Sequence, residues 1–262
     1  MTVAWDWSVY LVTDSGQCRA AGRGVVETVA AAVRGGVSAV QLRDKDLDAE
    51  AFTDLAVATA AVLPATVPLI VNDRVDVFLA ARARGAAVAG VHVGQDDLSV
   101  EAVRRLVGPT AVIGLSAATP AELAAAASSA ARVGYVGLGA VRATRSKADA
   151  PPSLGVDGAV RRAAGCPLPV VAIGGIGPDD LPALRAGGLA GAAVVSWVCA
   201  AADPERAAAV LRRAWDGSAP ASGRSADSER AVTASRRAGD GSAPVGRAVP
   251  SAAAAVPLAK GT

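Results

Sequence analysis

Eight short apolar runs, most of them β-branched and each followed by a polar or glycine-bearing cluster, predict an α/β chain folded as a single (β/α)8 barrel. The runs are continuous rather than alternating, as strands covered on both faces by crossover helices should be. Their spacing of roughly 22 to 35 residues matches a barrel of about 200 to 250 residues. A doubly wound open sheet shares the same alternation, and the count of eight is what favours closure.

The first run is Val9-Tyr10-Leu11-Val12-Thr13. The second, Ala39-Val40-Gln41-Leu42, leads into Arg43-Asp44-Lys45, and a helix is predicted from Asp48, a suitable N-cap, to Leu63. Leu69-Ile70-Val71 ends in Asn72-Asp73, with helical character from Asp73 to Arg84. Gly90-Val91-His92-Val93 leads to Gln95-Asp96-Asp97, and Ala111-Val112-Ile113-Gly114 leads to Ser116. Thr119-Pro120-Ala121-Glu122 then offers an N-cap, a proline at the first helical position and a Glu three residues after the cap, opening a helix to Ala131. Tyr135-Val136-Gly137-Leu138 precedes Thr144-Arg145-Ser146-Lys147. Val170-Val171-Ala172-Ile173 precedes Gly174-Gly175 and a helix from Asp179 to Ala186, and Ala193-Val194-Val195 precedes Ser196. Gly85, Gly134 and Gly187 fall where helices are expected to stop.

The composition bounds the function. With 262 residues, 52% apolar and 19% charged, the chain suits one large core. A net charge of +2 and the lack of any basic block argue against a nucleic-acid or membrane-surface partner and favour a small molecule. Cys18, Cys166 and Cys199 are odd in number and far apart, so they read as reduced thiols rather than a disulfide framework or a zinc site. The first fourteen residues lack a secretory pattern, and Leu189 to Ala202 is too short to span a bilayer, so a cytoplasmic location is expected.

The character changes after Trp215. Residues 1–215 are read as the barrel domain, and 216–262 as a disordered tail rich in Ala, Ser, Gly, Pro and Arg, with too little apolar surface to offset its chain entropy. The stretch from Glu205 to Pro220 recurs 24 positions later, from Glu229 to Pro244, with Ser235 and Gly239 in place of Leu211 and Trp215. The copy keeps the charges and loses the apolar anchors of a docking helix, which points to a degenerate duplication.

Chemistry is concentrated after the runs. Gln41, Arg43 and Lys45 alternate, so their side chains share one side and aim two cations and an amide into the mouth, a set suited to a phosphate or diphosphate. Asn72-Asp73 and Asp96-Asp97 end neighbouring runs, and carboxylates facing a cationic diphosphate site are most simply explained by Mg²⁺, with helix capping as the structural alternative for Asp73 and Asp97. Gly174-Gly175 and Val195-Ser196 follow the seventh and eighth runs, where backbone N–H groups commonly bind a second phosphate. His92 is the only histidine and sits inside a run, which favours a structural or supporting role, and a covalent triad lacks its base.

Together these motifs resemble thiamine-phosphate synthases. Tyr10 to Asp14, Gln41 to Lys45, Val71-Asn72-Asp73, Gly90 to Leu98, Gly114-Leu115-Ser116, Tyr135 to Gly139, Thr144 to Lys147 and Ile173 to Ile176 occur in the order and approximate spacing of that family, over about residues 8 to 215. The resemblance implies a TIM barrel that condenses a pyrimidine methyl diphosphate with a thiazole phosphate, releasing pyrophosphate and forming thiamine monophosphate. It implies that Gln41, Arg43, Lys45, Asn72, Ser116 and Lys147 hold the pyrimidine diphosphate, with Arg43, Lys45, Ser116 and Lys147 as the catalytic set. Asp73 and Asp97 would hold Mg²⁺. Thr144, Arg145, Ser146, Gly175, Val195 and Ser196 would hold the thiazole phosphate. The loop after the sixth run departs from the family pattern, with Ala140, Arg142 and Ala143 where prolines and an aromatic are usual and Ser146 for a threonine. Loss of two prolines predicts a less preorganised loop. A thiazole tautomerase on the same scaffold and a silent thiazole-phosphate-binding protein are the alternatives.

Overall fold

The computed structural model describes residues 5–143 and 153–217. Eight parallel strands close in sequence order: β1 (Val9–Val12), β2 (Ala39–Leu42), β3 (Leu69–Asn72), β4 (Gly90–Val93), β5 (Val112–Ser116), β6 (Tyr135–Gly139), β7 (Val170–Ile173) and β8 (Gly191–Val194). Pairing of β1 with β8, Val9 opposite Ala192 and Leu11 opposite Val194, removes both sheet edges and settles closure over the open-sheet alternative.

Around the strands lie α1 (Ser15–Ala20), α2 (Val25–Arg34), α3 (Ala49–Ala61), α4 (Val75–Ala83), α5 (Val100–Val107), α6 (Pro120–Ser128), α7 (Gly155–Ala163), α8 (Leu181–Ala186), the short α9 (Ser196–Cys199) and α10 (Pro204–Asp216). The expected caps are present. The Asp48 carboxylate accepts from the Ala51 N–H at the start of α3, and Thr119 and Glu122 form a reciprocal capping box on α6 with Pro120 in its first turn. Gly134 is different from the expectation. The helix before it ends at Ser128, and Gly134 instead donates its N–H to the Ile113 carbonyl at 2.8 Å, entering β6.

Burial is divided by the strands into two layers. The outer layer packs the helices on the barrel through residues such as Leu11, Leu42, Phe52, Phe78, Ile113 and Leu138. The inner layer is small and aromatic: Trp7, Tyr10, Val12, Ala39, Ile70, Tyr135, Val171 and Ala193 fill the barrel itself. The Trp7 ring stacks on Tyr135 with centroids 4.2 Å apart.

The last helix docks through the anchors its sequence suggests. Leu211 and Trp215 of α10 are buried, and the helix ends at Asp216 with Gly217 left-handed. Its partner α2 ends at Gly35 and Gly36, where a Cβ would lie 2.1 Å from the Glu205 carbonyl oxygen and 2.8 Å from Arg212 Cγ respectively, so glycine is what lets the two helices meet. The second copy of this sequence and the rest of 218–262 lie outside the described residues. Among the described residues no helix is long and apolar enough to cross a membrane.

Candidate active site

The polar clusters converge on a cavity of about 560 Å³ at the ends of the strands. Ten candidate residues line it: Gln41, Arg43, Lys45, Asn72, Asp73, Asp97, Ser116, Gly175, Val195 and Ser196. Thr144, Arg145, Ser146 and Lys147 lie outside the described residues.

The cationic arm follows β2. Only Gln41 is still within the strand; Arg43 and Lys45 lie just past it, and the loop holds them by its own hydrogen bonds. The Arg43 N–H donates to Thr13 Oγ1 at 3.0 Å, and Asp44 accepts from Ser15 and from the N–H groups of Asp46 and Leu47. Asp44 thus braces the loop from beneath while its neighbours on either side face the cavity.

Beside the arm, after the next two strands β3 and β4, sit Asp73 and Asp97. Asp73 occupies the left-handed region at φ 60°, uncommon for a residue with a side chain, and accepts from the Asn72 amide. Asp97 accepts from the Gly94 N–H at 2.7 Å. Neither is a helix cap. The residue at the start of α4 is Arg74, with no side-chain cap, and α5 is capped by Ser99. The Asp73 carboxyl is pushed up to about 6, first by partial removal from water and then by the neighbouring Asp97 carboxylate, against the opposing pull of Lys45 and Arg43. Two carboxylates held this close, in reach of two cations, are a donor set that would suit a divalent ion of the kind that binds through one or two carboxylates together with phosphate oxygens and water. Among the described residues no group of three or more His, Cys, Asp or Glu side chains gathers, here or elsewhere, so the protein's own donors at this point are the two carboxylates.

The far wall is a glycine turn. Gly174 and Gly175 follow β7 with φ of 102° and 63°. A Cβ on Gly175 would stand 2.8 Å from the Ala143 carbonyl oxygen and 2.9 Å from Arg142 Cβ, so glycine is what lets the β7 turn meet the β6 loop this closely. Arg142 explains part of the altered β6 loop. Its N–H donates to the Gly174 carbonyl at 2.9 Å, and its guanidinium forms a two-pronged pair with the buried Asp180, at 2.5 Å for the shortest contact. Asp180 also accepts from the Gly177 N–H at 3.0 Å. Arg142 therefore ties the loop after β6 to the turn after β7, supplying by an ion pair some of the order that prolines would give.

The barrel interior adds Tyr10 and Tyr135, which the sequence does not single out, and a chain of contacts that runs through them. Gln41 Nε2 donates to Tyr10 Oη at 3.1 Å, Tyr10 Oη meets Tyr135 Oη at 2.7 Å, Tyr135 Oη meets His92 Nδ1 at 2.9 Å, and His92 Nε2 meets Ser116 Oγ at 3.0 Å. The only available signal is a glycine within each of two neighbouring strands. A Cβ on Gly114 would lie 2.3 Å from Tyr135 Cζ and 2.5 Å from His92 Nδ1, and one on Gly137 would lie 3.1 Å from His92 Cε1. The supporting role expected for His92 thus has a definite object, the hydroxyl of Ser116.

Residues 9–198 match the family described as thiamine monophosphate synthase. A thiamine-phosphate synthase of Xanthobacter autotrophicus is 45% identical over 215 residues, covering 82% of this chain and 98% of that protein. A second, from Azorhizobium caulinodans, is 44% identical over 209 residues, covering 79% and 94%. A solved structure of thiamine phosphate pyrophosphorylase from Pyrococcus furiosus superposes with a TM-score of 0.71 at 29% identity, covering 81% of this chain and 96% of that one.

Proposed function

Since this chain belongs to the thiamine monophosphate synthase family, whose members are transferases, we propose that its barrel mouth joins a pyrimidine methyl diphosphate to a thiazole phosphate with Mg²⁺ as cofactor. The observation that carries this reading is the pairing, within one cavity, of Arg43 and Lys45 with two carboxylates, across from a separate glycine turn. One side suits a metal-assisted diphosphate and the other a metal-free phosphate.

In the reaction the bond from the methylene carbon to the diphosphate oxygen breaks and its electron pair leaves with the diphosphate. The thiazole nitrogen lone pair forms the new bond to the same carbon, giving thiamine monophosphate and pyrophosphate. Arg43 and Lys45 bind the diphosphate and offset the negative charge that builds on it, and Ser116 offers a hydroxyl from the adjoining wall. Lys147 would add a further positive charge. Gln41 and Asn72 hold the pyrimidine portion, while Gly175, Val195 and Ser196, joined by Thr144, Arg145 and Ser146, hold the thiazole phosphate. Mg²⁺ held by Asp73 and Asp97 would supply positive charge to the leaving group. No step needs a covalent adduct with the protein.

The test is to supply both substrates with Mg²⁺ and to assay thiamine monophosphate and pyrophosphate in equal amounts. Asp97→Ala or excess chelator should lower turnover by roughly 100-fold to 1000-fold with the fold intact, since that carboxylate stands at the mouth. Binding of thiazole phosphate without turnover would favour the silent binder, and rearrangement of a thiazole alone would favour the tautomerase. Full turnover in chelator would remove the metal.

A further inference from the structure

We propose that Tyr135, with Tyr10 and His92, is a positioning residue: a one-way hydrogen-bond chain across the barrel commits the Ser116 hydroxyl to donate its proton into the cavity. Its relevance to the leaving diphosphate rests on the function proposed above.

The direction follows by elimination along the chain. Gln41 uses one amide hydrogen on Tyr10 Oη, and the other partner of that hydroxyl among the described residues is Tyr135, so the order in which each hydroxyl hydrogen finds an acceptor has Tyr10 donating to Tyr135. Tyr135 Oη, having accepted, has His92 Nδ1 left to donate to. Burial raises the pKa of both phenols, so both keep their protons to give. An Nδ1 that accepts carries no proton, which places the imidazole hydrogen on Nε2, pointing at Ser116 Oγ. The Ser116 oxygen is thereby a recipient, and its own hydrogen is left for whatever occupies the cavity. The reverse order, with the Gln41 carbonyl against Tyr10, would put the imidazole hydrogen on Nδ1 and turn Ser116 into a donor to His92, with nothing to offer a ligand.

The barrel is shaped around this chain. Gly114 and Gly137 leave the space that the Tyr135 and His92 side chains occupy, and Trp7 stacks on Tyr135 from the floor. Two phenols and an imidazole in the interior of a barrel are a costly choice unless each polar atom is satisfied, and here each is. An oxygen that gathers negative charge as its bond to carbon breaks is served by a donor fixed beforehand rather than by a freely turning hydroxyl.

His92 is the single histidine of the chain, so one pair of imidazole ¹⁵N signals reports its tautomer without assignment. The unaltered protein should show the Nε2–H form. Tyr135→Phe, which keeps the ring and removes the hydroxyl, should lose that preference and lower kcat by about tenfold, with KM for the diphosphate changed by less than about twofold. Combining Tyr135→Phe with Ser116→Ala should cost no more than Ser116→Ala alone, because the tyrosine acts only through the serine. An Nδ1–H tautomer in the unaltered protein overturns the polarity, and unchanged kcat or additive losses overturn the positioning role. If the unaltered protein forms no product, the function above fails and the kinetic role with it, while the tautomer still decides the polarity.

Discussion

Replacing Gly114 with alanine adds one methyl group at the most crowded point of the interior. The backbone there lies outside the left-handed region, so alanine brings no conformational strain, and the cost is one of space. The new Cβ would stand 2.3 Å from Tyr135 Cζ, 2.4 Å from its Oη and 2.5 Å from His92 Nδ1. Neither ring can yield freely, since Tyr135 is stacked on Trp7 at 4.2 Å and His92 is held at both nitrogens. Overpacking of this kind costs about 1 to 3 kcal/mol, and leaving a buried hydroxyl or ring nitrogen unpaired costs a further 1 to 3 kcal/mol or so. A total of about 2 to 6 kcal/mol corresponds to a fall in melting temperature of roughly 4 to 24 °C for a domain of this size. Gly134→Ala is the control. Its nearest contact would be a Val112 methyl at 3.2 Å, which can shift, so about 1 kcal/mol or less is expected. Urea unfolding of the two variants beside the unaltered protein is the assay. Equal losses, or a Gly114→Ala protein as stable as the parent, would refute the claim that this strand glycine exists to seat Tyr135 against His92.

Arg43→Ala and Lys45→Ala should raise KM for the pyrimidine diphosphate and leave binding of the thiazole phosphate nearly unchanged; matched effects on both substrates in steady-state kinetics would dissolve the proposed division of the cavity. Deleting 218–262 should alter neither melting temperature nor turnover, whereas Leu211→Ala, which hollows a fully buried position on α10, should cost about 2 to 5 kcal/mol in denaturant unfolding. A large loss from the deletion would show that the tail contributes to the fold. The pair of Arg142 with Asp180 gives a pH signature. The Arg142 hydrogen bonds hold the Asp180 carboxyl below its ordinary 3.8, so this stabilisation is present above that pH and is lost as acid protonates the folded group. Arg142→Ala should therefore be less stable than the parent at pH 7, with the gap narrowing as the pH falls below 3.8 and the folded carboxyl is protonated; a gap independent of pH would exclude the ion pair as its source.

The barrel was legible because its strands are buried on both faces and so write themselves as unbroken apolar runs. Where that rule weakens, the reading does too. The eighth strand begins at Gly191, ahead of the β-branched residues that mark it, because a Cβ there would sit 1.7 Å from the Trp7 carbonyl oxygen and only glycine fits. Arg43, Lys45, Asp73 and Asp97 could be picked out because charge at the end of an apolar run has few structural uses. For His92 only a supporting role could be read, and for Tyr10 and Tyr135 none. Each lies inside a strand, where an aromatic ordinarily means packing, and their partners are 24 to 125 residues away in sequence. The loss of two prolines predicts a looser β6 loop, and the brace that Arg142 provides could not be read because the Asp180 that receives it lies 38 positions further on.

Closure of the ring has a consequence for the order in which the molecule can assemble. Its seam joins the two ends of the barrel segment: Val9 pairs with Ala192, Arg34 with Glu205, and the glycines that end α2 receive α10. The strand pairing cannot form until the chain has been made to Val194, and the helix contacts until it has been made almost to Gly217; before β8 is in place the strands bordering the gap present unpaired N–H and C=O groups to any other chain nearby. Loops between neighbouring strands can close early and locally, but the seam links residues 171 to 183 positions apart, so its entropic toll falls last. The final helix is thus less an ornament on a finished barrel than its clasp, and damage there should show as aggregation of the newborn chain before it shows as reduced activity of the folded one.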